Sequence, residues 1–269
     1  MTNGNLKSNT VRSYISSLKI IHELGNFEFN VNMPLINAML RGAENLDLYN
    51  RVGKKSRKVM TMPLLRIIGH QIAKTEWNSD SKIIVWCVCT VAFFGAFRIG
   101  ELLAENENSF CPPDTLLWDD LKFRKDNSVL IHVKIDKCRN TNGTYIDLFE
   151  FEGQNCCPVK ALKALKEKRF CTGKPVFQFY NGKNLTKNML NKVLHELLEP
   201  IIGVSAYDIS GHSFRAGLPA AMASNPDLIN DCEIKTWGRW SSESYRLYTR
   251  LKIGQKRSLF KKIVNVLEN

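Results

Sequence analysis

The chain lacks an apolar run long enough to cross a membrane. Its most apolar stretch, "IIVWCVCTVAFFGAF" (Ile83–Phe97), falls short of the ~20 residues a spanning helix needs and predicts a buried helix instead. No secretory signal is read at the N-terminus. The eight cysteines (87, 89, 111, 138, 156, 157, 171, 232) show neither a CxxC pair nor a disulfide-like spacing. Reduced, mostly buried thiols in a soluble intracellular protein are the expectation. A zinc site would need ligands converging from scattered positions, so no metal is expected. Internal repeats and low-complexity tracts are also absent. Acidic residues are scarce: 26 Asp and Glu stand against 38 Lys and Arg, a net charge of +12. With a pI of about 9.3, this is the electrostatic footprint of a nucleic-acid binder, although basic surfaces also meet acidic lipids and proteins.

What is present is enough apolar residue, 44% of 269, to build a core. The length allows one large domain with a small appendage, or two domains. Residues 1–50 predict helices. "NTVRSYISSLKIIHELG" spaces Val11, Ile15, Leu18, Ile21 and Leu24 at helical intervals, with Asn9 or Thr10 as cap and Gly25 as stop. "MPLINAMLRGAENL" predicts a second, short helix. A basic linker follows at 51–60, where Arg51, Lys54, Lys55, Arg57 and Lys58 either cross a DNA surface or simply face solvent. From residue 61 to 269 helices alternate with strands. "SVLIHVKID" (Ser128–Asp136) alternates Val129, Ile131, Val133 and Ile135, and "YIDLFEF" alternates again beyond the Asn142-Gly143 turn signal. That pattern predicts a hairpin. The fold class expected is α+β, mainly helical, with one small antiparallel sheet.

Four separated places hold residues costly to pack. Arg98 and Glu101 sit one turn apart at the end of the apolar stretch, and an arginine there is paired or functional. His212 and Arg215 fall at i and i+3 behind Ser210, a helix cap, which brings both toward a positive helix N-terminus suited to a phosphate. Lys134 and Lys137 lie near the hairpin turn, at the end of its first strand. "IKTWGRWSSESYRLYTRL" gathers Trp237, Arg239, Trp240, Tyr245 and Tyr248. Each has a plain alternative: an ion pair, a core histidine, solvated lysines, packing aromatics.

Taken in order, "AFRIGELL", the hairpin lysines, "HSFR" and "WGRWSSESYRLYTR" resemble the boxes of the tyrosine recombinases, the phage-integrase family. "HSFRAG", "IKTWGRWSSESYRLYTR" and "CPVKAL" resemble the eukaryotic mobile-element branch, the DIRS, Ngaro and Crypton recombinases. The resemblance spans roughly residues 63–251. It implies the family's catalytic fold over 61–269, preceded by a helical core-binding region over 1–50 that is short for the family, as in a fragment or in a chain that begins late in that domain. It also implies site-specific cutting and rejoining of double-stranded DNA through a 3′-phosphotyrosyl intermediate, without metal, ATP or other cofactor, for a mobile element such as a retrotransposon. Arg98 and Arg215 match the family's phosphate-clamping arginines, and Glu101 the acidic residue supporting the first. His212 matches the histidine that donates to the phosphate, and a hairpin lysine the general acid, Lys137 preferred over Lys134. Tyr248 matches the nucleophile, with Tyr245 the alternative. For the remaining position, spacing indicates Arg239 and residue type Trp240.

The resemblance further implies dimers and tetramers on DNA, with "GQKRSLFKKIVNVLEN" as a C-terminal helix that is either exchanged between copies or docked on its own chain, and a nuclear location in a eukaryote. Two other readings compete: a domesticated DNA-binding protein without chemistry, and a relaxing enzyme of the type IB topoisomerase kind. Pro219 departs from the pattern, because it removes the backbone bond to the Arg215 carbonyl and predicts a kink or an early helix end.

Overall fold

The computed structural model describes residues 6, 8–49, 58–134, 143–152, 156–201, 209–224 and 228–240. The chain divides into two compact units, Met1–Ser56 and Arg57–Asn269. The expected 51–60 linker straddles that boundary, and its residues 51–57 lie outside the described residues.

The first unit is a pair of helices, α1 (Ser8–Leu24) and α2 (Met33–Tyr49). They pack on one another and are tied by an Arg12–Glu44 ion pair at 2.8 Å. The helix begins at Ser8, so Asn9 and Thr10 are helical residues and not caps. The second helix is longer than expected and runs to Tyr49. The apolar spacing that predicts α1 is only partly covered: Val11 and Ile15 are half-buried, while Leu18, Ile21 and Leu24 are exposed.

The second unit is built around α4 (Ser79–Phe94), the apolar stretch of the sequence, buried along ten of its residues. A helix apolar on all sides must be surrounded. Helices α3 (Met62–Lys74), α6 (Pro158–Arg169) and α8 (Gly211–Met222) pack against it, and α7 (Lys187–Leu198) packs on α3 and α8. Short helices α5 (Ile99–Leu102) and α9 (Asp231–Trp237) flank α8. A three-stranded antiparallel sheet runs β1 (Leu121–Phe123), β2 (Ser128–Val133), β3 (Thr144–Phe149), in that order. Val129, Ile131 and Val133 of β2 and Ile146 and Leu148 of β3 face the core, as the alternation predicts. Val133 pairs with Thr144, so the two strands are joined by residues 134–143 and not by a tight Asn142-Gly143 turn. Gly143 lies at the foot of β3 with φ +66, where a Cβ would meet the Val133 carbonyl at 2.7 Å. A left-handed residue that close to backbone has to be glycine. The architecture is therefore mainly helical with one small sheet.

Burial of the cysteines is mixed. All seven described cysteines are free; Cys87, Cys89, Cys156 and Cys157 are buried, while Cys111, Cys171 and Cys232 are exposed. Among the described residues no helix is long and apolar enough to cross a membrane, and no three His, Cys, Asp or Glu gather as a metal site would require.

Candidate active site

Helix α4 ends in a sharp reversal. Gly95 caps it, and Ala96 takes φ +45, a conformation costing a residue with a Cβ roughly 1 kcal/mol or more. The turn throws Arg98 out of the core at the start of α5. There its Nη1 donates to Glu101 Oε1 at 2.8 Å and its backbone N–H to Glu101 Oε2 at 3.0 Å. Glu101 is nearly buried, at 6% side-chain exposure, whereas Arg98 keeps 34%. The ion pair foreseen as the plain alternative is real, and it leaves the arginine facing solvent. Arg98 and Glu101 line a cleft of about 700 Å³ together with Glu105, Asp114 and Lys187.

Arg215 reaches the same turn from the opposite side. Ser210 is extended before α8, and the cap works in reverse of expectation, with the Ser213 hydroxyl accepting from the Ser210 N–H at 3.1 Å. Gly211 lets the helix start against Ile99, where a Cβ would come within 2.5 Å. Gly217 lets it lie on the Met60 carbonyl, which a Cβ would approach to 2.4 Å. Pro219 neither ends the helix nor breaks it early, since α8 continues to Met222. So seated, the helix buries Arg215 to 2% exposure and leaves His212 exposed. Arg215 Nη1 donates to Ala96 O at 2.8 Å and Nη2 to Gly238 O at 2.9 Å. Its guanidinium lies 5.2 Å from the Trp240 ring centroid, within cation–π range.

Arg239 completes the junction. It follows α9 with φ +56, its guanidinium 5.0 Å from the Phe97 ring. Its Nη2 is shared among Ala96 O at 3.0 Å, Gly95 O at 3.2 Å and Glu101 Oε2 at 3.3 Å. Arg98, Glu101, Arg239, Arg215 and Trp240 are thus one connected group centred on the Ala96 carbonyl. Trp240 is buried at 9% beside Ile234, so Arg239 and Trp240 both belong to this group, Arg239 through hydrogen bonds and Trp240 through its ring.

The remaining predicted residues divide in two. Lys134 is described: its Nζ forms an ion pair with Asp120 Oδ2 at 2.6 Å, and that oxygen also accepts the Leu117 N–H. Lys58 is exposed. Lys137, Tyr245 and Tyr248 lie outside the described residues, as do Arg51, Lys54, Lys55, Arg57 and the C-terminal exchange segment. Sequence reasoning missed the carbonyls of Ala96 and Gly238 and the Asp120 partner of Lys134. The only traces of the carbonyls are the glycines beside them, since backbone acceptors have no residue signature.

No protein-family model matches the chain, and no curated protein matches it in sequence. The architecture itself is the catalytic fold of the tyrosine recombinases. Solved structures of that class are similar to it at low identity. A XerH site-specific recombinase in a post-cleavage complex with a palindromic difH substrate superposes with a TM-score of 0.55 at 14% identity, over 81% of this chain and 55% of that one. The chain therefore spans little more than half of that protein's length. The Tn1549 transposon integrase bound to circular-intermediate DNA gives 0.53 at 12% identity, over 97% and 96%. XerA recombinase gives 0.52 at 12%, over 97% and 78%.

Proposed function

We propose that this protein is a site-specific DNA recombinase that cleaves and rejoins duplex DNA through a tyrosine–DNA linkage. The observation that carries the reading is the joining of Arg98 and Arg215, distant in sequence, through Glu101, Arg239 and the Ala96 carbonyl. A lone structural arginine needs no such junction. Two guanidinium groups held on a shared frame suit a phosphate whose non-bridging oxygens gain charge in the transition state.

In this reading the Tyr248 Oη attacks the phosphorus of one strand and forms a new P–O bond, its proton leaving through exposed His212. The bond to the 5′ oxygen breaks, and a hairpin lysine protonates that oxygen as it departs. The 5′ hydroxyl of a partner strand then attacks the phosphotyrosine and restores the backbone, so the phosphodiester energy is conserved. The Asp120 ion pair occupies Lys134, which favours Lys137 as the acid. Duplex DNA, a second copy of the chain on it, a mobile element as beneficiary and a nuclear setting complete the proposal.

Incubation with a nicked suicide duplex from the ends of its own element, followed by a denaturing gel, tests it. The wild type is expected to form a covalent adduct that Tyr248→Phe abolishes and Tyr245→Phe retains. An adduct from Tyr248→Phe but not from Tyr245→Phe moves the nucleophile to Tyr245. Duplex binding with no adduct from the wild type supports a binding protein instead. Relaxation of supercoiled plasmid without strand exchange between duplexes supports the topoisomerase-like alternative.

A further inference from the structure

A helix leaves its last carbonyls without partners inside the helix. In α4 the carbonyls of Val91, Ala92 and Phe93 are taken by the amides of Gly95, Phe97 and Ala96. The next three carbonyls, those of Phe94, Gly95 and Ala96, all accept from one turn far along the chain, and Ala96 O accepts from Arg215 as well. Trp237 Nε1 donates to Phe94 O at 2.9 Å, and Arg239 Nη2 donates to Gly95 O and Ala96 O. The same turn returns an acceptor, Gly238 O, to Arg215. Its shape depends on Gly238, where a Cβ would meet the Trp240 ring at 1.7 Å. Two guanidinium groups thus sit at the negative end of the helix dipole, which favours them there.

We propose that the Trp237–Trp240 turn is a latch on the carbonyls at and just beyond the C-terminus of α4. Arg239 is its positioning residue: by joining those carbonyls to Glu101, it sets Arg98 and Arg215 in one register. Docking of the latch therefore holds the arginine pair assembled at the end of α4. The latch stands on hydrogen bonds within this chain, while its consequence for cleavage rests on the recombinase reading.

Arg239→Ala, Arg239→Lys and Trp237→Phe separate the two. In the free protein, the Trp237 indole N–H is followed by NMR for its exchange with solvent. It is expected to exchange slowly in the wild type and at least tenfold faster in Arg239→Ala, because losing one carbonyl donor frees the turn. On DNA, Arg239→Ala is expected to slow single-turnover adduct formation about 100-fold, the effect of a small misplacement at the reacting centre. Duplex affinity should stay within about threefold, since phosphate contacts set it. Arg239→Lys should recover only part of the rate, because one ammonium cannot match the planar fork. Unchanged indole exchange in Arg239→Ala at wild-type melting temperature overturns the latch. A rate that falls only in step with affinity or melting temperature reduces Arg239 to a structural residue. Should Arg239→Ala fail to fold, Trp237→Phe takes its place, read by the single-turnover rate. A wild type that forms no adduct ends the recombinase reading, while indole exchange still decides the latch.

Discussion

Arg98 and Arg215 show how differently two matched arginines are held. Arg98 keeps a third of its side chain in solvent beside a buried carboxylate, whereas Arg215 is almost wholly enclosed by carbonyls and an indole ring. Both were legible from their motifs, but their burial was not, because it is set by the Ala96 reversal for Arg98 and by how α8 lies on Ile99 and Met60 for Arg215. The cysteines give a sharper test at this scale. Burial pushes the Cys87 and Cys89 thiols well above their ordinary range, Cys87 further through its neighbour Cys89. A raised pKa keeps a thiol protonated as the pH climbs, and only the thiolate is nucleophilic. At about pH 8, near the ordinary thiol pKa, iodoacetamide should label Cys111, Cys171 and Cys232 readily and leave Cys87 and Cys89 unlabelled until denaturant is added. Peptide mapping by mass spectrometry reads the result.

Among the elements, α4 and α8 were both visible in the sequence, α4 as a run of apolar residues and α8 through its motif. Pro219 was expected to disturb α8, yet the helix continues beyond it. The bond it forgoes is the single one to the Arg215 carbonyl in the preceding turn, and α8 still runs on to Met222. Gly217 has a sharper requirement than Pro219. Gly217→Ala should destabilise the protein by ~1–3 kcal/mol, the usual cost of overpacking, because its Cβ would press on the Met60 carbonyl and the Phe93 ring. The start of α4 is pinned by a contact no motif announced. Asp80, 8% exposed, lies 3.6 Å from Arg169 Nε and accepts the Tyr180 N–H at 3.3 Å. Asp80→Ala leaves Arg169 without its carboxylate and should cost about 3–5 kcal/mol in chemical denaturation. The Ala96 reversal was unreadable for another reason: a left-handed alanine looks like any alanine in sequence.

For the whole molecule, net charge is the property that reaches furthest. A surplus of +12 implies salt-sensitive duplex binding if the basic residues meet phosphates. An interface with about 6–10 phosphate contacts loses ~10³–10⁵ in affinity between 50 and 200 mM salt. Replacing Lys54, Lys55 and Lys58 by Ala should lower the slope of log K against log salt by ~0.9 for each contact removed. A slope unchanged in that triple variant, measured by fluorescence anisotropy, would place the 51–60 segment off the DNA.

By itself the sequence determined the helical character, the hairpin strands and the identity of the candidate residues. Apolar periodicity and ordered motifs are local properties, carried by residues near one another in the chain. The tertiary structure alone decided that Arg98, Arg215 and Arg239 share one frame, that Lys134 is held by Asp120, and that Trp237 caps α4. Those arrangements depend on backbone carbonyls and on contacts between distant segments, and they come into being only when α8 and the 237–240 turn pack against the end of α4.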